Sequence, residues 1–557
     1  MKHFLKYSAI LLAVYVLISL FPLLLHKKDI NDNPLLLYKK GVMHVHWLSS
    51  DNKGDIRGII SAAHALNLDF VILSDHGNPH VPASKATAWY DKTLLIGGSE
   101  LSLDSGHMAS MGYAIPDYRF PPEPQEAINE VIGTGGVCFL SHPFDAKIPW
   151  KDWDIQNFTG IEVLSLYNCA TKASLIKMLT FPVQYLVNSD YAYLKTIYYP
   201  LDELRKWDDL NKKGKYYGIY ALDAHEKFRL GKQGYFTFPS YNSMFRIFTV
   251  YIKVDSRELD KDAFKASSQY FDLLKKGNYY NVIEALAPAN SFENYFVQAD
   301  GSRVEMGGFS AEPHGTLILK LPFNFSTDII IKKDGAVFKS ILSNTKKRIE
   351  LEIQKSGVYR AEVFIGKSTF STIPWIIANP IFIGVSYSSA AKSVEITPKE
   401  LLVKQSGYFA VEKNEESEGF VEYTYAEENI LVTRFTFKLN QKNKENEFWT
   451  AIAKRADFNF SGYKGIVFDV RGNRKMHMWL ELRTRNQNAS ENYYYHSFLV
   501  DKQWGSVHIP FTEFHTICGE KIKPELSNIN SFFFSINNSL APPAFSASAE
   551  FKNIGLY

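Results

Sequence analysis

At 557 residues the chain is too long for one hydrophobic core, so roughly two to four domains are expected. Hydrophobic residues at 46% and aromatic residues at 15% exclude a disordered chain. A formal net charge of +3 without a long basic run leaves no nucleic acid expected as a partner. Three cysteines (Cys138, Cys169 and Cys518) at unrelated spacings exclude a disulfide framework and a paired-cysteine zinc site.

The first element in chain order is apolar. Between Lys6 and His26 the stretch Tyr7 to Leu25 carries no charge. Its length matches the roughly 20 residues of a membrane-crossing helix. Bulky Phe21-Pro22-Leu23 stands where a signal peptide would place small residues, so residues 1–28 read as an uncleaved transmembrane anchor, with a cleaved signal as the alternative. Basic residues on both sides give mild support for a cytoplasmic N-terminus. The remainder is then expected outside the cytoplasm, in the periplasm or at the cell surface.

From Gly41 to about Ala287, short apolar runs alternate with helical stretches. Phe70–Leu73, Leu94–Gly97, Gly136–Leu140, Gly160–Leu164 and Tyr217–Leu222 predict buried strands, and their spacing predicts parallel βαβ units. The segment Thr171 to Lys213 reads as helical and unusually rich in tyrosine, either capping a site or packing as an inserted helical pair. Past Asn290 strands and turns take over: a small β-domain over 300–385, a serine-rich linker over 386–400, and over 401–557 strands spaced as in a β-sandwich.

Histidines and carboxylates are scattered along the first half: His44, His46, Asp51, Asp75-His76, Glu100, His107, Ser141-His142-Pro143 and Asp223-Ala224-His225. On a strand, residues at i and i+2 project to one side, so His44 and His46 can grip one ion, and Asp223 with His225 repeats the pattern. Asp51 and Glu100 can bridge ions and offset their charge. Ions held close together lower the pKa of a shared water and stabilise charge on a substrate oxygen. Most of these residues fall at or just after the C-terminal end of a predicted strand, where β/α barrels build active sites. Any one motif alone has a bland reading, a surface pair or a loop hydrogen bond; a common site explains all of them. His64 and His80 read as structural or surface histidines.

The ordered set His44-Val45-His46 with Asp51, Ser74-Asp75-His76, Gly98-Ser99-Glu100, Gly106-His107, Ser141-His142-Pro143 and Leu222-Asp223-Ala224-His225 resembles the PHP family, named for its polymerase-associated and histidinol phosphatase members. The resemblance covers about residues 37–290. It implies a distorted (β/α)7 barrel and two or three divalent ions, zinc, manganese or iron. The implied ligands are His44, His46, Asp51, His76, Glu100, His107, His142, Asp223 and His225. Of these, His44, His46, His76, Glu100, Asp223 and His225 are expected to do the catalytic work. Trp47 and Leu222 replace the small residues usual there. Gly98-Ser99-Glu100, Gly106-His107 and Trp207-Asp208 are most similar to a branch that includes an aryl-carbamate hydrolase.

The expected function is therefore a phosphoesterase using a metal-activated water on a small-molecule or glycan-linked substrate. The alternatives are hydrolysis of a carboxylic ester, carbamate or amide at the same ions, or a glycan-binding surface protein with a non-catalytic barrel. Lys227 and Arg229 could hold a phosphate or be exposed loop charges. The C-terminal region weakly resembles galactose-binding-like sandwiches of carbohydrate-binding modules, so polysaccharide is a candidate partner. On Met476 to Arg485 one face carries His477, Trp479, Glu481, Arg483 and Arg485, which could stack on a sugar or form an ordinary sheet surface.

Overall fold

A computed structural model describes residues 6–8, 10–15, 38–47, 55–226, 228–230, 236–254, 258–322, 326–366, 368–387, 396–403, 408–426, 430–440, 447–485, 491–516 and 521–557. The expected anchor over 1–28 lies largely outside them. Among the described residues no helix is long and apolar enough to cross a membrane, so the expected membrane anchorage is not supported. The chain divides into two units. One comprises 1–102, 106–114 and 131–388; the other comprises 103–105, 115–130 and 389–557.

Apolar runs become strands in the first unit because β-branched and large residues pack on both faces of a buried pleat. In chain order they are β1 (Tyr38–Val45), β2 (Phe70–Leu73), β3 (Asp75–His76), β4 (Ala88–Tyr90), β5 (Thr93–Ile96), β6 (Gly98–Leu103), β7 (Gly106–Met111), β8 (Val137–Leu140), β9 (Gly160–Ser165) and β10 (Tyr217–Ala221). A short hairpin, β11 (Phe228–Leu230) and β12 (Phe236–Phe238), precedes β13 (Phe248–Lys253) and β14 (Tyr279–Ile283). One sheet runs through β14-β13-β1-β2-β5-β4, and a second runs β10-β9-β8-β7-β6-β3. The two meet where Val45 bridges Ala224 in parallel, with His46 N–H donating to Ala224 O at 3.1 Å.

This arrangement is not the (β/α)7 barrel expected from the sequence. The pairs β1–β2, β2–β5, β3–β6, β8–β9 and β9–β10 are parallel, but β7–β8, β1–β13 and β13–β14 are antiparallel. A barrel of βα repeats needs a crossover helix after each strand. From Gly98 to Leu140 three strands share a single helix, Pro124–Gly133: a tight turn joins β6 to β7, and the helix lies between the antiparallel strands β7 and β8. Taken over both units the structure is strand-rich, 43% strand against 19% helix.

The first sheet does not stop at β14. Tyr280 pairs with Ala378, and the strands Ile376–Ala378 and Gly357–Ile365 extend the sheet further. A four-stranded antiparallel sheet of Glu293–Gln298, Arg303–Glu305, Gly315–Lys320 and Arg348–Ile353 belongs to the same unit. Buried Arg360 forks onto Asp208 at 3.1 and 2.9 Å and reaches Glu362 at 2.7 Å. Trp207 donates its indole N–H to Tyr216 O at 2.8 Å. Trp207-Asp208, noted in the sequence as a branch marker, therefore works in packing and charge pairing.

The second unit is a sandwich of two six-stranded sheets. One has the order Glu418–Tyr425, Leu431–Lys438, Ser546–Leu556, Gly465–Gly472, Gly505–Pro510, with Glu400–Leu401 beside Ser546–Leu556. The other runs Ala410–Lys413, Trp449–Phe458, Ile529–Asn537, Met476–Arg485, Glu491–Val500, His515–Thr516. Phe468, Phe498, Phe534 and Phe551 fill the space between them, with Phe534 and Phe551 stacked at 4.3 Å. Residues 115–130 fasten onto this sandwich. Arg119 N–H donates to Leu540 O at 2.8 Å, and Glu130 lies 3.1 Å from His477 Nε2.

A candidate metal centre

Eight of the nine ligands expected from the sequence lie among the described residues, and all eight converge in the first unit; Asp51 lies outside the described residues. His44, next to last in β1, takes a left-handed conformation (φ 64°), where the β1–β2 register shifts between Val42 and Val45. The two imidazoles thus converge through a bulge, not through the plain alternation expected. Their Nε2 atoms stand 3.1 Å apart. Asp223 (φ 49°) and His142 (φ 30°) also take positive φ. Three ligand residues in this strained region indicate a backbone held by its surroundings to aim side chains inward.

Glu100 is the hub. Its Oε2 lies 3.0 Å from His76 Nδ1, 3.3 Å from His44 Nε2 and 3.5 Å from His46 Nε2. Its Oε1 lies 3.0 Å from His142 Nε2 and 3.3 Å from His107 Nδ1. Asp223 Oδ1 sits 3.1 Å from His46 Nε2 and 3.3 Å from His225 Nδ1, and the rings of His46 and His225 stack at 3.9 Å. Three groups of atoms have the mutual spacing of ligands on one ion: His46, His76 and His225; His44, His46, Glu100 and Asp223; His76, Glu100 and His107. They share His46, His76 and Glu100, so the sites are adjacent.

Burial explains why this cluster fits cations. His44, His46, Glu100, His142, Asp223 and His225 are buried, and buried charges are tolerated when paired or bound to metal. Burial pulls the His46 imidazole down to about 4, which keeps it neutral and able to donate a lone pair. Burial opposes charge on His44 too, but the carboxylates of Glu162, Glu100 and Asp223 outweigh it and hold that group well above the ordinary histidine range. For Glu100 burial opposes charge as well, and the imidazoles of His44, His107 and His142 prevail, holding the carboxyl well below its usual range. His142 Nδ1 is buried without a hydrogen-bond partner.

Glu162 escaped sequence reasoning. Its Oε1 lies 2.6 Å from His44 Nδ1, and its Oε2 accepts the His142 backbone N–H at 2.8 Å. It fixes one ligand's ring and another's backbone, the role that outer carboxylates play around metal-binding histidines. The only signal in the sequence was a lone acid in an otherwise apolar strand, Gly160-Ile161-Glu162-Val163-Leu164. Asp75 accepts the Trp47 backbone N–H at 2.8 Å. His64 bonds Tyr90 O at 3.0 Å, and His80 Nδ1 accepts the Ala83 N–H at the start of a short helix. Lys227 lies outside the described residues, and nothing places the Arg229 side chain. Cys138 and Cys169 are buried free thiols, each pushed up to about 12 by burial.

Asp223 and His225 also face a cavity of about 330 Å³. Its walls are Leu166, Phe181, Pro182, Phe238, Pro239 and Met244 with nine further residues; among the described residues no lysine or arginine lines it.

In the second unit Trp479 is 4% exposed and donates its indole N–H to Asn537 at 3.1 Å, so its ring offers no open face for a sugar. The same sheet face instead presents half-exposed Tyr493 beside Arg483, with Arg455 forked onto Glu412 at 2.8 and 3.0 Å.

The family model that matches is Complex I intermediate-associated protein 30 (CIA30), over residues 399–546. This match lies in the second unit; the expected PHP family membership, with its aryl-carbamate hydrolase branch, finds no support in the comparisons and is corrected accordingly. The family 11 carbohydrate-binding module of a cellulosomal cellulase of Clostridium thermocellum is 15% identical, over 29% of this chain and 95% of its own, at a TM-score of 0.23. A family 30 carbohydrate-binding module from a cellulosomal cellulase of the same organism is 15% identical, over 29% and 94%, at 0.22. An exo-beta-agarase is 12% identical, over 28% of this chain and 24% of its own, at 0.20. No curated protein matches the chain.

Proposed function

We propose that the chain is a glycan-binding protein whose first unit carries a metal-dependent hydrolytic centre. The observation that carries the hydrolytic reading is the trio of overlapping ligand groups around Glu100, His46 and His76. His44, His46, His76, Glu100, His107, His142, Asp223 and His225 would hold two or three divalent ions of zinc, manganese or iron. When bound, such ions lower the pKa of a shared water towards neutrality and polarise the bond to be cut. Glu162 keeps the His44 ring in place, and an apolar wall flanks Asp223.

The bond cut is a carboxylic ester, carbamate or amide. Among the described residues the cavity beside Asp223 and His225 is lined mostly by apolar side chains, with no lysine or arginine, a poor cradle for the two negative charges of a phosphomonoester. This departs from the phosphoesterase expected from the sequence. In the second unit, Tyr493 with Arg483, Arg455, Glu412 and Glu491 combines an aromatic surface with hydrogen-bonding groups, the pairing that suits sugar rings.

The test uses the full chain, with bound metal counted before and after chelation. Ester, carbamate, amide and phosphomonoester substrates are then assayed. His76→Ala should lose metal and activity together, by more than the roughly 10- to 100-fold that removal of an outer partner costs. Full activity in that variant after metal loss overturns the mechanism. Turnover confined to phosphomonoesters overturns the choice of bond, and no turnover with ions bound leaves the glycan-binding reading alone.

A further inference from the structure

We propose that the substrate is an amphiphile whose hydrocarbon chain occupies the cavity beside Asp223 and His225 while its ester or amide linkage lies at the ligand cluster. This rests on the hydrolytic reading above and names its substrate class. The cavity is large enough to bury a small ligand, at about 330 Å³, and its wall is almost wholly carbon. Asp223 and His225 are its polar end, and both belong to the ligand groups. A molecule filling it must therefore be apolar for most of its length and polar at one end.

The helix Leu175–Val187 supplies a second observation. Its sequence, LIKMLTFPVQYLV, has one charged residue. Met178, Phe181 and Pro182 line the cavity, while Leu175, Ile176, Leu179 and Leu186 are 70–74% exposed. A helix packed on a core buries its apolar stripe and presents polar residues outward. This one is apolar on the outward side as well, so a hydrocarbon chain meets apolar surface from solvent to cavity. Pro182 interrupts the backbone hydrogen bonding at the cavity wall, a position where helices bend. In the reaction water adds its oxygen to the acyl carbon and the acyl–oxygen or acyl–nitrogen bond breaks. The leaving alcohol or amine takes one proton, and the carboxylic acid releases the other.

The experiment measures kcat/KM of the metal-loaded full chain on p-nitrophenyl esters from acetate to decanoate. Burial of each added methylene should raise the value roughly threefold to fourfold until the cavity is full. Met178→Asp, at a half-exposed position that tolerates charge, should flatten this slope and lower the decanoate-to-acetate ratio at least about tenfold. A flat slope in the native protein overturns the inference. A second readout needs no turnover: calorimetric binding of decanoate to the full chain should be saturable and be weakened about tenfold in Met178→Asp. Decanoate binding without hydrolysis of any ester leaves the cavity assignment standing and sinks the hydrolytic reading. Ester hydrolysis without chain-length dependence or decanoate binding does the reverse.

Discussion

Single side chains decide most of the chemistry in the first unit. Glu162 touches no expected substrate position, yet it orients His44 and pins the His142 backbone. Glu162→Gln keeps the shape and removes the charge. It should weaken metal binding by roughly 10- to 100-fold, measured by competition with a chromogenic chelator. Unchanged affinity would mean that packing alone holds the His44 ring. A second prediction concerns Arg360, which is buried and forked onto Asp208. Asp208→Ala strips half of its neutralising charge and should cost about 3–5 kcal/mol of stability, read as a lowered denaturation midpoint. Glu362→Ala should act the same way, and the double variant should show strong coupling between the two sites.

Among elements, the strand-rich sheets explain why the site sits where it does. Ligands come from β1, β3, β6 and β7 and from the ends of β8 and β10, brought together by sheet pairing over sequence separations of up to about 180 residues. In the second unit the segment 115–130 is held by Glu123, which is buried and accepts the Ser497 backbone N–H. Burial pushes the Glu123 carboxyl up to about 8 from an ordinary value near 4.5. Raised pKa means that the folded state holds a proton the unfolded state has released. Its stabilising contribution is therefore complete below about pH 4.5 and fades as pH rises towards 8, by an amount on the order of 5 kcal/mol. Thermal unfolding of the full chain should show this decline, and Glu123→Gln should remove it. An identical pH profile in the variant would show that Glu123 is charged in the fold.

At the scale of the whole molecule, two units imply two separable activities. Tyr493→Ala with Arg483→Ala should reduce adherence to insoluble polysaccharide at least about tenfold in a pull-down, while turnover of a soluble small ester stays within about twofold. Loss of both would mean that the variant has unfolded, and circular dichroism separates that outcome. Removing 389–557 is a poorer test. It would strip residues 115–130 of Leu540, His477 and Ser497, their partners within the second unit.

The sequence alone determined the candidate ligand types and the runs that form strands, because histidine and carboxylate chemistry and period-two burial are local properties. His44-Val45-His46 and Asp223-Ala224-His225 announced themselves by spacing. Several things were set only by tertiary structure. Strand direction is one: an apolar run reads the same whether its neighbour is parallel or antiparallel, so the expected barrel gave way to two sheets. Glu162 is another, since an acid inside an apolar strand has no meaning until His44 is seen beside it. Trp479 could be read as a sugar platform or as ordinary sheet surface, and packing closed its face. The cavity beside Asp223 was invisible for the same reason. Its walls come from segments that meet only in space, Leu166 and Phe181 with Phe238 and Met244.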